Sequence, residues 1–87
     1  MQGYDTALGT IYERGTQHYE AGSFRLAWEW FNAAAECGLQ DAICSIGIMY
    51  SKGEFVPYSL KAAYATFNRI PHNKIAQCFL GKKVPHM

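Results

Sequence analysis

Six side chains in this sequence could ligate a metal or serve as nucleophile and base: Cys37, Cys44 and Cys78, and His18, His72 and His86. A zinc site draws its ligands in close pairs, because one turn or one helix face must aim two donors at the same ion. No two of the six stand at such a spacing, so they read as structural residues and no metal or cofactor is expected. A cysteine nucleophile needs a histidine or a helix N-terminus to stabilise its thiolate. Only Cys44, in the first turn of its expected helix, meets that condition, which leaves a thiol-dependent enzyme as the remaining catalytic alternative. Paired carboxylates and a nucleophile elbow are missing, and Gly81-Lys82-Lys83 lacks the upstream glycine of a phosphate loop. The expectation is a protein with no catalytic residues.

The length of 87 residues allows one domain, taken as residues 1–87. Hydrophobic residues at 49% are too many for a disordered chain, and a net charge of +1 is too balanced for an electrostatic binder of nucleic acid. No stretch approaches the roughly 20 apolar residues of a membrane span, and Met1 to Asp5 lacks the basic start and apolar run of a secretory signal. Three cysteines cannot all pair within one chain, so free thiols and a cytoplasmic protein are the expectation.

The elements that must position any site are helical. Apolar residues recur at helical spacing, as in Ile43, Ile46 and Tyr50 and again in Ala63, Phe67 and Ile70. Breaks at Gly22-Ser23, Gly38-Leu39, Gly53 to Pro57, Pro71-His72 and Pro85 cut the chain into five segments. These are expected at Thr6–Ala21, Phe24–Cys37, Asp41–Lys52, Ser59–Ile70 and Lys74–Lys82, with Ser23 and Ser59 as N-caps. Short connections force each helix to run antiparallel to its predecessor. Ala27, Trp28 and Phe31 recur 36 positions later as Ala63, Tyr64 and Phe67, and Ala42, Ile46 and Gly47 recur 34 later as Ala76, Leu80 and Gly81. Periods in the thirties belong to two-helix repeats, which stack because one pair cannot bury its apolar faces alone.

The stretch from Leu26 to Gly38, LAWEWFNAAAECG, closely resembles the second helix of a Sel-one-like repeat, K-A-x-x-W-[YF]-x-K-A-A-E-x-G. It runs into Ala42, Ile46-Gly47, Tyr50 and Gly53, which resemble that family's first helix, A-x-x-x-L-G-x-x-Y-x-x-G. The first hairpin, with Gly15, Tyr19, Gly22-Ser23-Phe24 and Ala27, resembles the tighter turn of the related tetratricopeptide repeat. A competing Sel-one-like register reads Leu8-Gly9, Tyr12 and Gly15. The second repeat departs from the pattern, with Phe55 where the family's loop usually has glycine and Ser59 in place of aspartate. The resemblance covers roughly Thr10 to Gly81. It implies an all-α fold, a short right-handed solenoid of stacked antiparallel helical hairpins with a concave surface for protein ligands. It implies no reaction. Some secreted members staple adjacent helices with a disulfide, but the spacing of Cys37 and Cys44 is one residue short and the register shifted.

Two surfaces are therefore candidates. If the first helices line the concave face, helical spacing puts Tyr12, Thr16 and Glu20 beside Asp41, Cys44, Ile48 and Lys52, with Cys78 and Lys82 continuing the row. On the second helix, at about 100° per residue, Ala27, Trp30, Phe31 and Ala34 share the core arc while Trp28 falls on the flank. With its equivalent Tyr64, Trp28 is expected to form an aromatic ridge, the residue type enriched at interface hot spots. The tail Lys74, Lys82, Lys83 and His86 is mildly basic, and Ile75, Ala76, Phe79 and Leu80 give the last helix a capping face. The functional expectation is a protein-binding module of unidentified protein partner, with a small inhibitor or immunity-type protein as one version. A self-assembling homodimer is the alternative.

Overall fold

A computed structural model describes the backbone of residues 2–81 and the side chains of residues 9–80. Five helices follow in order, α1 Gln2–Glu20, α2 Phe24–Glu36, α3 Gln40–Lys52, α4 Leu60–Phe67 and α5 Lys74–Gly81, and no strand occurs among the described residues. The fold is all-α. The expected end of the last helix at Lys82 lies outside the described residues, as do Lys83 and His86 of the basic tail. Each helix packs on its neighbours in sequence. Near the first turn Tyr19 meets Phe24 with ring centroids 5.2 Å apart, and farther from it Tyr12 meets Phe31 at 5.6 Å. That order of contacts shows α1 and α2 running in opposite directions.

A close approach between helices is made twice by the same pair of residue types. A Cβ placed on Gly15 of α1 would lie 2.7 Å from the Phe31 ring of α2, and one placed on Gly47 of α3 would lie 2.6 Å from the Phe67 ring of α4. Each phenylalanine lies where only a glycine leaves room, so the two contacts fix the axial register of both hairpins. Gly15 and Gly47 thus take equivalent places in the two hairpins. Phe31 follows its glycine by 16 residues and Phe67 by 20 because the second connection is longer. Around these locks the core is built of small side chains. Ala27, Ala34, Ala42, Ala63 and Ala76 have no exposed surface, and Met49 and Phe67 are the largest side chains buried completely.

Trp30 departs from the expectation that it shares this core. It is only half-buried, stacked on His18 of α1 at 6.4 Å with the Arg14 guanidinium 5.9 Å from its ring centroid. The reason is Phe31, which takes the place against Gly15 and leaves the longer indole to lie along the outer flank of α1.

The caps also divide. Ser59 accepts from the Ala62 amide at 3.0 Å and starts α4 as expected, whereas Ser23 makes no side-chain cap bond. Ser23 instead donates its backbone N–H to the His18 carbonyl at 2.8 Å, closing the turn through the main chain. α4 ends at Phe67, short of the expected Ile70, because three-residue bonds from Arg69 to Thr66 and from Ile70 to Phe67 tighten the chain ahead of Pro71. Asn73, a cap that the sequence reading did not include, holds the last helix. Its Oδ1 accepts from the amides of Ile75 and Ala76, and from the Cys44 thiol at 3.3 Å, while its Nδ2 donates to Gln40 at 2.9 Å. One side chain therefore starts α5 and ties it to α3.

Replacing Gly47 by alanine is expected to cost about 1–3 kcal/mol, the usual penalty for overpacking. Gly9→Ala, where an added Cβ meets nothing within 4 Å, should instead stabilise by up to about 1 kcal/mol through helix propensity. Thermal melts of the two variants check this opposition of sign. Asn73→Ala removes a cap and leaves Gln40 and Cys44 without their partner, so a loss of about 1–2 kcal/mol is expected in the same assay.

Candidate functional site

α1 and α3 both lie against α2 but have little contact with each other, and a groove opens between them. Its volume is about 350 Å³, and its lining comes from Tyr12, Thr16, Tyr19 and Glu20 of α1, Ser45, Ile48 and Lys52 of α3, and Phe31 of α2. Phe31 is the floor: its exposure is only 3%, and Tyr12 and Tyr19 tilt over it with centroids at 5.6 and 6.3 Å. A shallow depression continues the groove along α1 past Glu13, Thr10 and Gly9. The spacing explains the wall. Residues 12, 16, 19 and 20 repeat at four, seven and eight positions, and residues 45, 48 and 52 at three and seven, each set a single stripe on its helix.

Of the seven residues expected on the concave face, the structure brings Tyr12, Thr16, Glu20, Ile48 and Lys52 together along this groove. Asp41 is exposed one turn before Ser45 and does not line the cavity. Cys44 is displaced altogether: it is 2% exposed and its thiol points to Asn73 at the start of α5. The stripe of α3 runs through Ser45, one residue and about 100° away from Cys44; both stand at helical spacing from Ile48 and Lys52, so spacing does not choose between them. Phe31 and Tyr19, read as core and turn residues, are the other two lining residues that the sequence reading left out.

Three hydroxyls of the wall are tied down. Thr16 donates its hydroxyl to the Tyr12 carbonyl and Ser45 donates to the Asp41 carbonyl, both at 3.1 Å. The Tyr19 hydroxyl donates to both oxygens of Glu54 at 2.9 and 3.0 Å, joining α1 to the connection after α3. Burial, followed by the hydrogen bond and the negative charge of Glu54, pushes the Tyr19 hydroxyl from 10.0 up to about 12. At Cys44 burial and the nearby Asp41 charge raise the thiol, outweighing an opposing hydrogen bond with the Ala76 backbone. That is the reverse of what a thiolate nucleophile requires. Among the described residues no cluster of three His, Cys, Asp or Glu side chains is arranged to hold a metal, and no helix is long and apolar enough to cross a membrane.

The flank has a different composition from the expected pair. Trp28 is half-buried, set edge-on to Tyr50 at 5.4 Å and tilted against Phe55 at 6.1 Å, so its ring packs on α3 and the loop beyond it. Tyr64 is half-buried on α4. Phe55 takes a left-handed backbone, φ 67°, at the position where glycine was the expected residue, and leaves 52% of itself exposed. No family model, no curated protein and no solved structure matches the chain.

Two expected outcomes follow from the Tyr19 bond. Ultraviolet titration should find Tyr19 ionising near pH 12, and Glu54→Gln should lower that value toward 10. Because the folded value lies above the unfolded one, the folded state holds more protons between them. The stabilisation is complete below pH 10 and declines as pH rises toward 12, which melts at stepped alkaline pH in wild type and Tyr19→Phe would measure.

Proposed function

We propose that this chain is a helical-repeat interaction module, two and a half Sel-one-like repeats in a right-handed solenoid, which holds a segment of a partner protein in the groove between α1 and α3. The single observation that carries the binding reading is the groove itself, whose walls come from the first helix of each hairpin and whose aromatic floor is Phe31 of α2. Its volume is near the lower end for ligand sites and suits a few side chains of an inserted segment. The repeat reading is supported by the twofold occurrence of the glycine and phenylalanine lock, and by the matching burial of Ala27 with Ala63 and of Ala42 with Ala76. Three cysteines without disulfides fit a reducing compartment. Binding is favoured over thiol chemistry because the Cys44 thiol is buried and shifted away from ionisation.

Self-association is the second reading, favoured by three large hydrophobic residues exposed within one short stretch: Phe55 at 52%, Tyr58 at 63% and Leu60 at 42%. The two readings separate by experiment. Ile48→Arg places a charge on the groove wall and is expected to abolish affinity capture of the partner while the thermal melt changes little, since Ile48 is only partly buried. Phe55→Ser should leave capture intact. If sedimentation shows a wild-type dimer that Phe55→Ser dissociates, and Ile48→Arg leaves capture unchanged, self-association is the function and the groove is not the site.

A further inference from the structure

The hydrogen-bonding inventory of the groove is one-sided. A hydroxyl has one proton to give and two lone pairs to receive with. The three hydroxyls of Thr16, Tyr19 and Ser45, which face the groove from both walls, have each given that proton to a partner inside the protein: the Tyr12 carbonyl, the Glu54 carboxylate and the Asp41 carbonyl. What they offer an incoming ligand is acceptor capacity alone. Glu20 on the α1 wall, and Glu13 in the depression that prolongs it, are acceptors as well. Among the side chains lining the groove itself, the Lys52 ammonium and the Tyr12 hydroxyl are the donors left.

Charge follows the same direction and has a gradient. Glu20 and Lys52 each lie five residues beyond a glycine that meets its phenylalanine, so the repeated register sets them across from each other at one end of the groove. Their charges offset one another. At the other end Glu13, in the depression along α1, has no cation among the lining residues to offset it. Glu13, Glu20 and Lys52 make no ion pair among the described residues, where Arg25 and Glu29 form a bridge.

We infer that the partner segment is basic: the groove takes an arginine or lysine side chain of an otherwise apolar protein segment, its charged head toward Glu13 and its stem along Tyr12. This rests on the groove being the binding site. Tyr12 suits the role because its ring borders both the groove and the depression, where a cation can lie over an aromatic face while its protons reach carboxylate and hydroxyl oxygens. Apolar neighbours of that residue would cover Phe31 and Ile48. An acidic segment would meet like charge and a wall with few donors, and is disfavoured on both grounds.

The test is selection from a random dodecapeptide library on the full chain, with Ile48→Arg as a parallel selection. Peptides recovered on wild type and lost on Ile48→Arg are expected to be enriched in arginine or lysine over aspartate and glutamate. Their binding should weaken about tenfold in the Glu13→Gln/Glu20→Gln double variant, the loss of one charge-assisted contact. It should also weaken with salt and tighten in Lys52→Glu. Both glutamates are exposed, so their replacement keeps the fold and the comparison stands even if Ile48→Arg unfolds. Groove-dependent peptides that are acidic or neutral overturn the basic-partner inference and leave the groove as the site. Peptides that bind wild type and Ile48→Arg alike, or a selection that enriches nothing, overturn the groove reading itself. Spermidine displacing the selected peptides at equal concentration would assign the site to free polyamines and contradict a protein partner.

Discussion

Everything in this fold depends on two glycines standing against two phenylalanine rings. Helices joined by short turns will lie side by side for almost any apolar sequence, but how far one slides along the other is set by shape. At Gly15 and Gly47 the backbone itself forms the socket, and the rings of Phe31 and Phe67 fill it. The alanine-rich core follows from that closeness, because Ala27, Ala34, Ala42 and Ala63 are what remains possible when the helices come this near. The half-burial of Trp30 follows too, since a second large ring has no place on the same arc.

The lock also makes the groove. Phe31 occupies its socket from below, so its upper face becomes a floor between α1 and α3, and the side chains one turn to either side of the glycines become walls. Serine and threonine in mid-helix turn their protons back to carbonyls four residues earlier, a local preference that needs no tertiary contact. Here that habit has a chemical consequence, because it converts the walls into acceptors. The Tyr19 bond to Glu54 extends the same polarity and holds the end of α1 to the connection after α3, next to the left-handed Phe55.

Helix number, approximate boundaries and the pairing of helices were legible in the sequence because glycine and proline punctuate it and the apolar period is regular. Five groove residues were legible for the same reason: Tyr12, Thr16, Glu20, Ile48 and Lys52 follow helical spacing. Cys44 was misplaced because helical spacing alone cannot separate two adjacent residues, whereas packing sends Cys44 to Asn73 and leaves Ser45 on the wall. The Asn73 cap and the Tyr19 bond to Glu54 join residues 29 and 35 positions apart, and no local pattern announces a contact of that kind. Phe55 was flagged as a substitution for glycine, and its backbone does adopt the conformation that glycine favours. Trp28 was recognised as lying off the core arc, but its partners Tyr50 and Phe55 depend on a loop whose path the sequence does not specify.

The central claim is that one contact, made twice, sets the register from which core and groove both follow. The most direct measurement is nuclear Overhauser spectroscopy on protein with labelled phenylalanine rings and glycine α-carbons. Cross-peaks are expected from Gly15 to Phe31 and from Gly47 to Phe67, with the α-protons of both glycines shifted by the facing rings. Cross-peaks from Gly9 to Phe31, or from neither glycine to its ring, would mean that the hairpins are held in another register, and the groove described here would not exist.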